Sequence, residues 1–206
     1  VYYMQYKDQL VLTGKINDVG EYTRTNIPDS YRAGIELQGS EVINKWLKAG
    51  ANLTLSKNKI KGFTEYIDIY DASYNWVGQN SKTYNESDIS FSPNVVGSAT
   101  IAITPIKKLN IDLLSKYVSK QYLDNTSNDA RKLNPYFTED VRAIYSFQKK
   151  WLKNVDLILQ VNNIFNKKYE PNGYTFSYYV ASDLTTENYY FPMAGTNFFA
   201  GVNIRL

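Results

Sequence analysis

The chain has 206 residues, 43% of them hydrophobic and 15% aromatic, with 19 Tyr. Its 23 basic and 20 acidic residues leave a formal charge of +3, too evenly balanced for the concentrated basic face that nucleic-acid binding requires. It contains neither Cys nor His, which excludes a disulfide scaffold and a thiolate or imidazole metal site, and deprives acyl-transfer chemistry of its usual base and nucleophile.

In chain order, Val1 to Leu12 is an aromatic, strand-like run with Tyr2, Met4 and Tyr6 on one parity, and Gly14 to Pro28 reads as a polar loop. Tyr31, Ala33, Ile35 and Leu37 then alternate with Arg32, Gly34, Glu36 and Gln38. Leu47, Ala49, Ala51, Leu53 and Leu55 alternate with Lys48, Gly50, Asn52, Thr54 and Ser56. A long polar and aromatic segment from Lys57 to Pro93 leads to Val95, Gly97, Ala99, Ile101 and Ile103. Past a short turn come Leu109, Ile111 and Leu113, then a loop from Gln121 to Pro135 and a strand from Phe137 to Phe147. Val155, Leu157, Leu159 and Val161 form the next strand. A long aromatic loop separates it from the last, where Phe198, Ala200, Val202, Ile204 and Leu206 share one parity. Side chains alternate faces along a strand, so these are eight strands with one apolar face each, and no helix. All six prolines are expected between strands, because a proline deletes a ladder hydrogen bond.

No stretch of about 18 apolar residues exists, so a transmembrane helix is excluded. No signal peptide is visible, and the first residues already alternate. The expectation is a piece of a larger wall.

The connections are of two kinds. Three are short and alike: Lys45-Trp46-Leu47-Lys48, Lys107-Lys108-Leu109-Asn110 and Lys150-Trp151-Leu152-Lys153. Four are long, over residues 13–29, 58–93, 121–135 and 167–195, and short and long alternate. In an up-and-down meander this collects every short turn at one end and every long loop at the other. Transmembrane β-barrels have that asymmetry, with short periplasmic turns, long external loops and aromatic girdles in which Trp46 and Trp151 would sit. A Lys or Arg facing lipid near the midplane costs about 2–4 kcal/mol. Arg32, Lys48, Lys116, Arg142 and Arg205 all lie on the parity opposite the apolar residues, as do Glu36, Asp112 and Asp156. Apolar residues are therefore expected to face lipid and polar ones the interior, since a one-residue slip would exchange the two sets.

Three C-terminal motifs carry a resemblance. Asn163-Ile164-Phe165-Asn166-Lys167-Lys168-Tyr169 resembles the signature on the penultimate strand of TonB-dependent outer-membrane receptors. Tyr189-Tyr190-Phe191-Pro192-Met193-Ala194-Gly195 resembles the lead-in to their last strand. Gly201-Val202-Asn203-Ile204-Arg205-Leu206 resembles the C-terminal assembly signal of outer-membrane barrels, with Leu206 where the family usually carries an aromatic. Tyr6-Lys7-Asp8-Gln9 and Ser30 to Leu37 also resemble the family's barrel strands, the likeness being to iron-chelate receptors of Bacteroidota-like bacteria. The family's barrels have about 22 strands and a plugged lumen. The resemblance therefore implies an all-β, antiparallel segment, residues 1–206 forming the C-terminal third of the wall in a bacterial outer membrane. It implies a transporter rather than an enzyme, with Asn163, Phe165, Tyr169, Pro192, Gly195, Gly201, Ile204 and Leu206 as packing and assembly positions. The implied partners are outer-membrane lipid, the plug domain and remaining strands, TonB through the plug, the barrel-assembly machinery and an external chelate. Iron–siderophore leads haem, cobalamin or glycan as the cargo.

Candidate ligand residues lie in the aromatic loops: Tyr66, Asp68, Tyr70, Asp71, Tyr74 and Trp76 in the longest, and Tyr174, Phe176, Tyr178 and Tyr179 in the last. Pockets combine aromatic walls with a few polar groups. The same residues would equally serve to pack the loops on one another. No resident cofactor or metal is expected; Asp124, Asn125, Asn128 and Asp129 lack the spacing of a defined calcium loop. Two other architectures fit the alternation: a closed eight-stranded outer-membrane barrel acting as adhesin or small pore, and an extracellular β-sandwich that binds sugar or protein.

Overall fold

Each alternating run forms a strand in the computed structural model, which describes residues 1–205; Leu206 of the terminal motif lies outside the described residues. Thirteen strands are numbered in chain order: β1 (Tyr2–Ile16), β2 (Tyr22–Asn44), β3 (Leu47–Tyr70), β4 (Trp76–Asp88), β5 (Val95–Ile106), β6 (Leu109–Val118), β7 (Gln121–Tyr122), β8 (Lys132–Leu133), β9 (Tyr136–Lys149), β10 (Leu152–Asn162), β11 (Asn172–Val180), β12 (Asp183–Phe191) and β13 (Asn197–Arg205). No helix occurs among the described residues. Eight strands form the wall in the order β1-β2-β3-β5-β6-β9-β10-β13, every neighbour antiparallel. Among the described residues β1 and β13 do not pair, so the sheet is an open part of a barrel rather than a closed eight-stranded one.

The register lays the apolar parities into one band. Leu37 pairs with Leu53, Leu55 with Val95, Ile101 with Leu113, Leu113 with Val141, Ala143 with Leu159 and Leu157 with Val202. Leu159, Ile101 and Val202 are 51%, 39% and 63% exposed, in a continuous apolar face with no second sheet over it among the described residues. A β-sandwich would bury that face; a membrane supplies lipid for it. On the other face Arg142 donates to Asp112 across β6 and β9 at 2.7 Å, and Arg32 donates to Asn58 and Ser92. These two arginines thus have partners within the chain on the inward face. β1 departs from the pattern: Tyr2, Met4 and Tyr6 pair with Gly34, Arg32 and Ser30, so its aromatic parity looks inward.

Three expectations are corrected. Residues 13–29 are mostly strand, with only Asn17 to Glu21 turning between β1 and β2. Likewise 58–93 and 167–195 are largely hairpins, because β3 runs for 24 residues and pairs with β4, and β11 pairs with β12. A tilted membrane strand needs only about 9–11 residues. β2 and β3, at 23 and 24 residues, are about twice that long, so their remainder must project beyond a bilayer into water, which removes the lipid-driven alternation. Finally, two prolines lie inside strands. Pro28 of β2 falls where pairing skips from Lys7–Asp29 to Gln9–Ile27, opposite Asp8 with φ 51°; Pro105 of β5 falls at the register shift between Ile103 and Ile106. Both sit at irregularities that require no ladder donor.

Protein-supplied burial is concentrated at the outer end. Val11, Ile27, Ile60, Phe63 and Ile89 form the hydrophobic cluster, with Tyr84 packed against it. The 121–135 segment folds against this end through Leu123 and Leu133, both fully buried, and Asn125 donates to the Leu12 carbonyl at 2.7 Å.

Candidate functional site

Two outer hairpins that lie more than a hundred residues apart join edge to edge. β11 adds in parallel to the tip of β3, pairing Tyr178 with Asp68, Tyr179 with Ile69 and Val180 with Tyr70, on the edge opposite β4. The result is a four-stranded ladder, β12-β11-β3-β4. Because paired residues share a face, Tyr66, Asp68 and Tyr70 stand on the same side as Tyr174, Phe176 and Tyr178. Tyr70 meets Tyr178 edge-on at 6.2 Å between ring centres, and Tyr174 packs on Phe176, Tyr189 and Phe191 at 5.6, 4.8 and 5.8 Å. Tyr66, Tyr74 and Trp76 remain exposed at 57%, 70% and 61%.

The remaining candidates have different positions. Tyr179 has the opposite parity and leaves the cluster. Asp71 organises its own turn: its carboxylate accepts from the backbone N–H of Ser73 at 2.8 Å and Asn75 at 2.9 Å, while Tyr74 takes a left-handed φ of 62°. Hydrogen bonds from the Asn75 side chain and backbone hold the Asp71 carboxyl below the usual carboxylate range. Asp68 accepts from the Trp76 indole at 3.1 Å and from Gln79 at 2.8 Å, which fixes the indole over the ladder.

Glu187 escaped the sequence reading. It accepts hydrogen bonds from the hydroxyls of Tyr189 and Tyr178, the latter at 2.7 Å. These bonds lower its pKa and raise those of the tyrosines, Tyr178 to about 12. Lone acidic and aromatic residues on the far strand of a hairpin carry no local pattern that would have singled them out.

The opposite face of the ladder looks into a cavity of about 530 Å³, lined by Thr13, Thr25, Glu65, Arg131, Thr175 and Ser177 among others. Arg131, in the segment before β8, is buried and donates to Glu65 at 2.5 Å and Asp124 at 2.7 Å. Burial opposes its charge, but the hydrogen bonds and charges of Asp124 and Glu65 outweigh that and raise its pKa. Tyr84 donates to the same Glu65 at 2.9 Å. Asp124 is thus committed to Arg131 and Thr126, whereas Asp129 pairs with Lys120 and Lys132, so the polar tip points in several directions. No metal-binding group of acidic residues occurs among the described residues.

The residues of the terminal motifs meet just beyond β10. Asn163, buried with φ 51°, accepts from the Lys167 N–H at 2.9 Å and donates to the Lys167 carbonyl at 2.9 Å and that of Ala194 at 3.3 Å. Thr196 donates to the Asn163 carbonyl at 2.8 Å. A side chain at Gly195 would collide with Asn166 and Lys168. Tyr169 stacks on Tyr136 at 4.3 Å, and Phe165 lies 6.2 Å from Phe137. This turn therefore ties the end of β10 to the start of β13. Gly201 and Ile204 sit within β13, and Pro192 follows β12.

The family model described as TonB dependent receptor-like, beta-barrel matches residues 1–164. A search of the curated proteins finds no match. Among solved structures, the siderophore receptor PiuA from Acinetobacter baumannii is 20% identical with a TM-score of 0.64, over 98% of this chain and 25% of its own. The ferric-catecholate import receptor Fiu from E. coli K12 is 14% identical with a TM-score of 0.62, over 98% and 24%. The ferric yersiniabactin uptake receptor FyuA from Yersinia pestis is 15% identical with a TM-score of 0.60, over 97% and 25%. The chain thus spans about a quarter of the length of each. Its open sheet, lipid-ready band and family match lead to one assignment: the chain belongs to the TonB-dependent receptor-like β-barrel family and is part of the wall of a bacterial outer-membrane barrel.

Proposed function

We propose that this chain is the C-terminal part of the wall of an outer-membrane active transporter, not an enzyme, that takes up a scarce iron–siderophore chelate. External loops would capture the chelate, TonB would supply energy through a plug in the lumen, and the cargo would pass along the polar inner face. The observation that carries the reading is the parallel β11–β3 junction, which merges the two aromatic loops into one surface. The similarity to barrels of siderophore receptors supports the choice of cargo.

Aromatic side chains supply large contact area at low entropic cost, and a few anchors dominate most interfaces. The half-buried Tyr70 with the exposed Tyr74 and Trp76 is assigned this role, with Tyr66, Tyr174, Phe176 and Tyr178 as the supporting wall and Asp68 orienting the indole. The test uses the intact receptor and a panel of ferric chelates, ferric enterobactin among them, as probes. Replacing Tyr70, Tyr74 and Trp76 together by Ala is expected to weaken binding about tenfold or more, while the barrel stays folded. Unchanged affinity for each bound member of a ferric chelate panel would remove these residues from the binding surface.

A further inference from the structure

The three turns at the other end of the wall are built alike. Each is a two-residue turn, Lys45–Trp46, Lys107–Lys108 or Lys150–Trp151, followed at once by the leucine that opens the next strand: Leu47 of β3, Leu109 of β6 or Leu152 of β10. Two of the three read Lys-Trp-Leu-Lys, 105 residues apart in sequence. The turns lie on strands that adjoin in the sheet, so they share one rim. Trp46 and Trp151 are exposed there, as are Lys45, Lys107, Lys108, Lys149, Lys150 and Lys153.

The charge at this rim is unbalanced from within. The ion pairs among the described residues involve Lys7, Lys59, Lys120, Arg131, Lys132 and Arg142, and none of the six rim lysines. Nearby carboxylates compensate only in part. Asp112 is held by Arg142, so Asp156, which accepts from Ser146 and Asn154 at 2.6 Å each, and Glu41 on β2 are two carboxylates against six lysines. At the outer end Lys59, Lys120 and Lys132 pair with carboxylates, whereas none of the six rim lysines does so among the described residues. A shallow depression at the third turn is walled by Gln148, Lys149, Lys150, Leu152 and Lys153.

We propose that this rim is a docking surface for anionic phospholipid headgroups, with the ammonium groups on the phosphates and the two indoles at the boundary between headgroup and acyl chain. The rim sits at the strand ends next to the apolar band, where headgroup phosphates would stand if that band spans the hydrocarbon core. Indoles favour that interface, and unpaired lysines near it attract negative headgroups. The site is built for a lipid surface rather than a free anion, because its charges are spread along an edge and do not converge on one buried point. The inference depends on the wall crossing a bilayer, not on which chelate the other end binds.

The test uses the intact receptor in nanodiscs of phosphatidylcholine, with or without phosphatidylglycerol, and counts lipids retained by native mass spectrometry. The wild type is expected to hold phosphatidylglycerol preferentially. Changing Lys45, Lys107, Lys108, Lys149, Lys150 and Lys153 to Gln should abolish the preference, with each single change costing about fivefold. The same six changes to Arg should keep it, and Lys120→Gln with Lys132→Gln at the outer end should leave it untouched. Equal retention by the Gln set with a folded barrel would overturn the proposal. So would loss of the preference in inorganic phosphate at matched ionic strength, which would show a soluble-anion site instead. If the Gln set fails to fold, the single changes and the Arg set decide the question by the same count.

Discussion

The wall and the outer canopy solve the same burial problem with different solvents. In the wall, Leu159, Ile101 and Val202 are left uncovered by protein, and one parity carries nearly all the apolar surface. In the canopy the chain must cover itself: Ile27, Ile60 and Phe63 pack inward, and Arg131 is buried between Glu65 and Asp124. The difference teaches that strand patterning here reports the surrounding medium. Where lipid is outside, period two dominates in every wall strand but β1; where water is outside, the same strands become two-faced and polar, and specific side-chain bonds replace the hydrophobic band.

The largest effect expected from breaking this contrast is in the canopy. Arg131→Leu leaves two buried carboxylates facing one another without their cation, a change that costs about 3–5 kcal/mol when one partner of a buried pair is removed. Hydrogen exchange of residues 121–135 in the intact receptor should accelerate sharply while the wall stays protected. Protection that persisted would mean that Leu123 and Asn125 hold the segment without the guanidinium. Next in size, Leu159→Arg places a charge in the lipid band and should destabilise the barrel by about 2–4 kcal/mol, measured by folding into vesicles. Thr100→Arg, on the opposite parity of β5, should cost far less. Equal costs would show that the apolar face does not meet lipid.

The smallest effect is that of pH on the ladder. Glu187 is held low by Tyr189 and Tyr178, and Asp71 by Asn75. A carboxyl whose folded pKa is depressed contributes stability above its unfolded value and loses it as pH falls through the folded one. Trp76 fluorescence should therefore change in acid below about pH 4, before far-UV dichroism reports any loss of the wall. At the alkaline end Tyr178, pushed up to about 12, should stay protonated past the ordinary tyrosine range. An indole signal flat across the acid range would separate Trp76 from these carboxylates.

The eight wall strands, their inward charges and the turn-borne tryptophans were legible because each depends on local alternation. Residues 13–29 were not, because Thr13 and Thr23 pair through their hydroxyls and display no apolar face to read. Pro28 and Pro105 misled for a related reason: a bulge tolerates a proline, and bulges leave no period. Of the ligand candidates, Tyr66, Asp68, Tyr70, Tyr174, Phe176 and Tyr178 share a face, while Tyr179 falls on the other by one residue of register. Glu187, Tyr189 and Arg131 were missed, since their importance lies in partners across a hairpin or across the canopy.

What the amino-acid sequence determined by itself was which side of each membrane strand is greasy, because side chains alternate every residue and a charge in hydrocarbon is too costly to leave there. Only the tertiary structure decided that β11 would lie parallel to β3 and that Arg131 would reach Glu65, 66 residues away. Those pairings join distant segments through backbone edges and buried charges, and neither leaves a periodic trace in the chain.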